Sequence, residues 1–249
     1  MTARFSLITI TLNAQERLPR CISSILGQTR LPDEYLFIDG GSQDGTIKII
    51  EEAIPQLKAK GVNARLLRQN HQEGHAGIPE AWNQGITQAT GDIIGLLNSD
   101  DFYLPETIET VVKAFSENAN LELLSSTISM VSPDGAYLYS LYPHCLCMSE
   151  IKMPVPHPGT FASAPLYKRI GLYDENYRIS ADYDFIWRCR KAKANTLYLE
   201  KPLVNMEAGG LANSSRELAR KETLAIALKH SRIPLLARIA YLLRKITGK

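Results

Sequence analysis

"GDIIGLLNSDDFYLP", residues 91–105, drives an apolar run into two adjacent carboxylates, Asp100 and Asp101, with glycines and a proline bracketing it. The run 92–97 reads as a β-strand. Two like charges at its end repel each other, so a cation, a hydrogen-bond network or plain solvent must compensate them. The acids also precede "PETIE", where the positive end of a helix dipole favours negative charge. Taken alone, the stretch leaves a helix-start cluster and a divalent-cation site equally open.

Working outward, residues 5–13, 34–39 and 64–69 read as further strands, while 17–28, 46–57, 77–90 and 105–118 carry helical spacing. Strands alternating with helices over residues 1–115 predict an α/β layer architecture with a mainly parallel sheet. Ligands bind beyond the carboxyl ends of such strands. Asn13, Asp39, Asp100 and Asp101 all fall at those ends. That shift of context favours a hard cation, because Mg²⁺ commonly takes one or two carboxylates together with substrate phosphates.

The remaining chain is read more coarsely. Residues 121–160 are β-like and irregular, 164–171 and 181–192 look helical, 209–215 is loop-like and 216–230 helical. Asp182 and Asp184 sit at a predicted helix start, where either could serve as a general base or as a cap, and Asp184 could pair with Arg188. His157, between two prolines, is a candidate phosphate or acceptor contact. In "FIDGGSQDGT" Asp39 is a candidate ligand acceptor, and Asp44 reads as a turn and helix-start residue. Over 232–249, Leu235, Leu236, Ile239, Leu242, Leu243 and Ile246 share one helical face, with Arg238 and Lys245 opposite and Arg232 and Lys249 at the ends. Such a basic amphipathic helix suits either a membrane interface or docking on the domain.

Bulk composition excludes several classes. The chain has 249 residues with 28 basic and 26 acidic side chains, a balance that does not suit general nucleic-acid binding. Cys145 and Cys147 form a C-x-C pair without further ligands at zinc spacing, so thiols in a reducing compartment are expected. No run approaches the ~20 apolar residues of a membrane span. The opening residues lack the zones of a signal peptide, so the expected location is cytoplasmic, with peripheral contact to the inner membrane face through 232–249. The dinucleotide fingerprint G-x-G-x-x-G does not occur.

The ordered set "SLITITLNAQERLPRCISSILGQT", "FIDGGSQDGT", "EAWNQGITQATGDIIGLLNSDDFYLP" and "GLYDENYRISADYDFIWRCRKA" resembles glycosyltransferase family 2. The resemblance spans roughly residues 5–193 and is nearest to short bacterial enzymes of exopolysaccharide, capsule or lipopolysaccharide assembly. It implies a GT-A fold, a nucleoside-diphosphate-sugar donor (UDP foremost), Mg²⁺ or Mn²⁺, and inversion at the anomeric carbon. It implies that Thr11, Asn13, Glu16 and Asn83 line the nucleotide pocket with His157 nearby, and that Asp39 contacts the base. Asp100 would contact the ribose, Asp101 the metal, and Asp182 (or Asp184) would be the base. Departures from the family pattern are Gly40 and Asn98, where aspartates are usual, and Ala181 in place of a glutamate. The Gln-x-x-Arg-Trp element of processive synthases is absent, which implies transfer of single hexosyl or N-acetylhexosaminyl units to a saccharide or lipid-linked saccharide. A nucleotidyltransferase and a non-catalytic nucleotide-sugar-binding protein are the competing readings. The expected organisation is a GT-A domain over 1–212, with a nucleotide half (1–115) and an acceptor half (116–212), followed by a helical extension over 213–249.

Overall fold

The computed structural model describes residues 3–70, 77–209, 215–231 and 233–247. Strands β1 (Phe5–Thr11), β2 (Glu34–Asp39), β3 (Asn63–Arg68) and β4 (Ile93–Leu96) run parallel in the order β3-β2-β1-β4. They are linked by α1 (Leu18–Leu26), α2 (Thr46–Ala59) and α3 (Ile78–Gln88). β1, β2 and β4 are buried on both faces because helices cover both, whereas β3, at the edge, is only partly buried. Leu7, Tyr35 and Phe37 enter one core, shared with Leu18, Ile25 and Ile50 of α1 and α2, and Ile8, Leu36 and Ile38 enter the other, under Trp82 and Ile86 of α3. α1 follows from its sequence: Leu18, Cys21, Ile22 and Ile25 are buried at helical spacing, and a proline occupies its first turn.

Beyond β4 the sheet becomes mixed. β5 (Phe102–Tyr103) and α4 (Thr107–Glu117) lead to β6 (Leu123–Val131), β7 (Tyr137–Leu141) and β8 (Thr160–Ser163), then α5 (Ala164–Ile170), α6 (Ala181–Lys191) and β9 (Thr196–Glu207). β8 lies antiparallel between β4 and β6, and β9 runs parallel to β6. The carboxyl ends of β1, β2, β4, β6 and β9 and the amino end of β8 therefore share one edge. The 12-residue β9 carries no clean period-2 alternation in "TLYLEKPLVNME", and Pro202 interrupts it, so the sequence reading left it unassigned.

α7 (Arg216–His230) packs against α6: Ile226 and Ala227 form a buried cluster with Tyr183 and Trp187. α8 (Pro234–Thr247) follows it. Leu235, Leu236, Ile239 and Leu242 are exposed on α8. Of the loop expected at 209–215, residues 210–214 lie outside the described residues, as do Arg232, Lys249 and the side chains of Leu243, Lys245 and Ile246. No described helix is long and apolar enough to cross a membrane.

Candidate active site

The shared edge begins with two interlocked loops. Register pairs Thr11 with Asp39, and the Thr11 hydroxyl donates to Asp39 Oδ1 at 3.0 Å. Asp39 also accepts from the Ser42 hydroxyl and from the Gly41 and Ser42 amides, at 2.9 Å each for the amides. Its acceptor positions are thus filled from within the loop. Asn13 adopts a φ of 48°, a left-handed conformation that asparagine tolerates. Its amide donates to Ser42 Oγ, and its Oδ1 accepts from the Gln43 amide at 2.8 Å. Asp44 accepts from the Thr46 hydroxyl and amide and the Gln15 amide, which holds its carboxyl below the ordinary range. Glu16 is exposed on the turn that leads into α1.

Next along the edge is a cluster of charge. Asp101 is 2 % exposed, and Asp100 beside it is partly exposed. Burial first, and the Asp100 charge second, push the Asp101 carboxyl well above the carboxylate range, and burial also raises Asp100. Among the described residues, Asp101 Oδ2 and Asn98 Oδ1 are buried without hydrogen-bond partners. Two crowded carboxylates and an orphaned amide oxygen fit a hard divalent cation. Glu207, at the end of β9, meets Arg17 Nε at 2.7 Å and also pairs with Arg20, whose guanidinium stacks 4.3 Å from the Phe102 ring. No group of three or more potential metal-ligating His, Cys, Asp or Glu side chains occurs among the described residues.

The acceptor side supplies the third part. His157 stacks on Trp82 with ring centroids 4.3 Å apart, and Tyr173 tilts against Trp82 at 5.0 Å. Burial lowers the His157 imidazole to about 4, so it is neutral near pH 7 and brings no positive charge to a phosphate. Asp182 opens α6, and its Oδ1 accepts from the Tyr183 amide at 2.7 Å. Burial raises its carboxyl to about 6 against the pull of the Tyr183 and Asp182 backbone amides. Asp184 is different: its side chain is 1 % exposed and meets Arg188 Nε at 2.7 Å, His230 Nε2 at 2.8 Å and Lys229 Nζ at 3.4 Å. These partners occupy the Asp184 carboxylate. The Asn83 side-chain amide donates to the Tyr173 carbonyl and Glu175, and its Oδ1 accepts from the Tyr173 amide, which clamps the segment before α6.

This edge can be compared with known proteins. The Glycosyl transferase family 2 model matches residues 6–161, more than half of the chain. The chain belongs to glycosyltransferase family 2. It is 32 % identical over 217 residues to the PGL/p-HBAD biosynthesis glycosyltransferase of Mycobacterium bovis, covering 84 % of this chain and 79 % of that one. It is 31 % identical over 142 residues to the chondroitin synthase of Pasteurella multocida, covering 56 % of this chain but 14 % of the synthase. Staphylococcus aureus TarS 1–349 in complex with UDP superposes with a TM-score of 0.68 at 18 % identity, covering 98 % of this chain and 72 % of that one. Its complex with UDP-GlcNAc gives 0.68 at 18 % identity, over 96 % and 70 %. The fold of this glycosyltransferase is GT-A, a mixed sheet flanked by helices.

The family model ends before Asp182, so the acceptor side of this glycosyltransferase rests on its own geometry. Sequence reading missed Arg17, Arg20 and Glu207. The signal was faint: two arginines three residues apart at the start of a helix, and an acid closing an unrecognised strand before a Gly-Gly pair.

Proposed function

We propose that this glycosyltransferase acts in cell-surface glycan assembly, moving single hexosyl or N-acetylhexosaminyl units with inversion from a UDP-sugar to a saccharide or lipid-linked saccharide. The observation that carries the reading is the contrast between two carboxylates of α6. Asp184 is locked among cations, whereas no salt bridge reaches Asp182 among the described residues and burial raises it to about 6. A single base suits direct displacement. Asp182 takes the proton of an acceptor hydroxyl as that oxygen bonds to the anomeric carbon. The bond from that carbon to the diphosphate oxygen breaks on the opposite face, and UDP leaves.

Asp100, Asp101 and the Asn98 amide oxygen would hold Mg²⁺ or Mn²⁺, whose charge neutralises the diphosphate. Asp100, the more exposed acid, is the better placed of the two to meet it. Thr11, Asn13 and Asp39 shape the nucleotide shelf, and a base would reach Asp39 by displacing the Ser42 hydroxyl. UDP release from a panel of nucleoside-diphosphate sugars, with Mn²⁺ and with EDTA, tests the assignment. Pyrophosphate release from a nucleoside triphosphate would make the chain a nucleotidyltransferase. Tight binding without turnover would make it a sensor.

The Asp182 value sets a pH dependence. The base is competent when deprotonated, so turnover is full above about pH 6 and falls roughly tenfold per unit below it. Initial rates from about pH 5 to about pH 8 check this, and a flat profile would remove Asp182 from the chemistry.

The exposed leucines of α8, with Arg238 also exposed, support peripheral contact with an anionic bilayer. The full chain is expected to co-sediment with phosphatidylglycerol vesicles and a version ending at Ser231 to stay in solution. Identical pelleting would rule the contact out.

A further inference from the structure

α7 lies outside the span of the family model, yet it grips α6 at two points. His230 and Lys229 reach Asp184 from its last turn. Glu222, only 8 % exposed, reaches the segment that feeds α6. Its Oε1 accepts from the Arg178 amide at 2.8 Å, and its Oε2 accepts from the Ile179 and Ser180 amides, each at 2.9 Å. The Ser180 hydroxyl adds a bond to the Ala219 carbonyl at 3.3 Å. Three consecutive amides held by one carboxylate make charge-assisted bonds, about twice as strong as neutral ones. Asp182 lies two residues beyond the last of them, so the turn that presents it is fixed from a helix about forty residues downstream.

We propose that Glu222 is a positioning residue for sugar transfer, fixing from α7 the turn that carries Asp182. Its negative charge beside that turn also favours proton uptake by Asp182. The inference rests on the reading of Asp182 given above. A purely structural cap would make the same three hydrogen bonds, so the charge effect is what separates the two roles. The charged and titratable groups that act on Asp182 are the Glu222 carboxylate on α7 and the Tyr173 phenol before α6, and on its own helix its Oδ1 accepts from the Tyr183 amide. Burial is the larger cause of its raised value, and Glu222 adds to it.

The test is a side-chain carboxyl NMR titration of the full chain with ¹³C-labelled aspartate, which needs neither donor nor acceptor. Asp182→Asn identifies the Asp182 resonance by its loss. In Glu222→Gln that resonance is expected to titrate at lower pH than in the wild type, and in Glu222→Asp, which keeps the charge, to stay close to the wild type. With UDP-N-acetylglucosamine as the probe, UDP release is expected to fall at least tenfold in Glu222→Gln and less in Glu222→Asp, with the donor KM within about twofold. An unmoved Asp182 titration in folded Glu222→Gln overturns the proposal and leaves Glu222 a cap. If Glu222→Gln does not fold, Glu222→Asp decides. Its shorter side chain cannot serve all three amides, so wild-type turnover there overturns the proposal. Undiminished turnover in Asp182→Asn instead overturns the base assignment itself, whatever Glu222 does.

Discussion

Asp182→Asn is expected to lower sugar transfer by about a hundredfold to ten-thousandfold, the usual worth of a general base, while UDP binds as in the wild type. The asparagine oxygen can still accept the Tyr183 amide, so the start of α6 keeps its local bond. The lost function is proton uptake alone, because an amide does not take the acceptor's proton. Stability is expected to hold or rise, since the substitution removes a carboxyl that burial already penalises. Nucleotide groups at the ends of β1, β2 and β4 lie on other elements, so donor affinity is untouched. Initial rates paired with calorimetric titration of UDP check both halves. A parallel loss of rate and affinity would show that Asp182 shapes the donor pocket and is not the base.

Asp184→Ala is expected to act on stability, by about 3 kcal/mol, or a fall in melting temperature of roughly 6–12 °C for a chain of this size. Removing the carboxylate strands Arg188, whose side chain is 20 % exposed, and strips His230 of its partner. Arg188 retains the Ile170, Gly171 and Leu172 carbonyls, which keeps the loss at the lower end for a broken buried pair. Lys229 is half exposed and keeps Asp174 at 3.1 Å, so it adds little. Burial works against the Asp184 carboxylate, but the His230 and Arg188 hydrogen bonds outweigh it and hold its pKa below the ordinary value. Its stabilisation is therefore present above the ordinary carboxylate range and is lost as pH falls through the lowered value. Thermal denaturation followed by circular dichroism checks the size. A wild-type melting curve with abolished turnover would return Asp184 to the chemistry.

These two residues also show where sequence reading reached its limit. The alternation over the first 115 residues was enough to predict the parallel strands, and with them the edge where Thr11, Asp39 and Asp100 gather. Parallel pairing follows from short-range pattern. The choice between Asp182 and Asp184 does not. Two positions apart on a helix they point about 200° away from each other, and only the packed neighbours decide which one faces the site. Those neighbours are distant in the chain: His230 lies 46 residues from Asp184, and Glu207 lies 190 from Arg17. Glu222 sits in "ARKETLA", which reads as an ordinary solvated helical charge until α7 is packed against α6. Asn83 likewise bonds the Tyr173 backbone, 90 residues away in the chain.

The interlaced loops after β1 and β2 have a consequence for redesign. Asn13 and Gln15 supply acceptors to the Gln43 and Gly45 amides, and Ser42, Asp44 and Thr46 return acceptors to the amides of Asn13, Gln15 and Ala14. Neither loop can be transplanted alone, because a foreign partner leaves donors on the resident one unanswered. Changing the nucleotide taste of this enzyme by grafting therefore means moving residues 12–16 and 40–46 together, as one cassette.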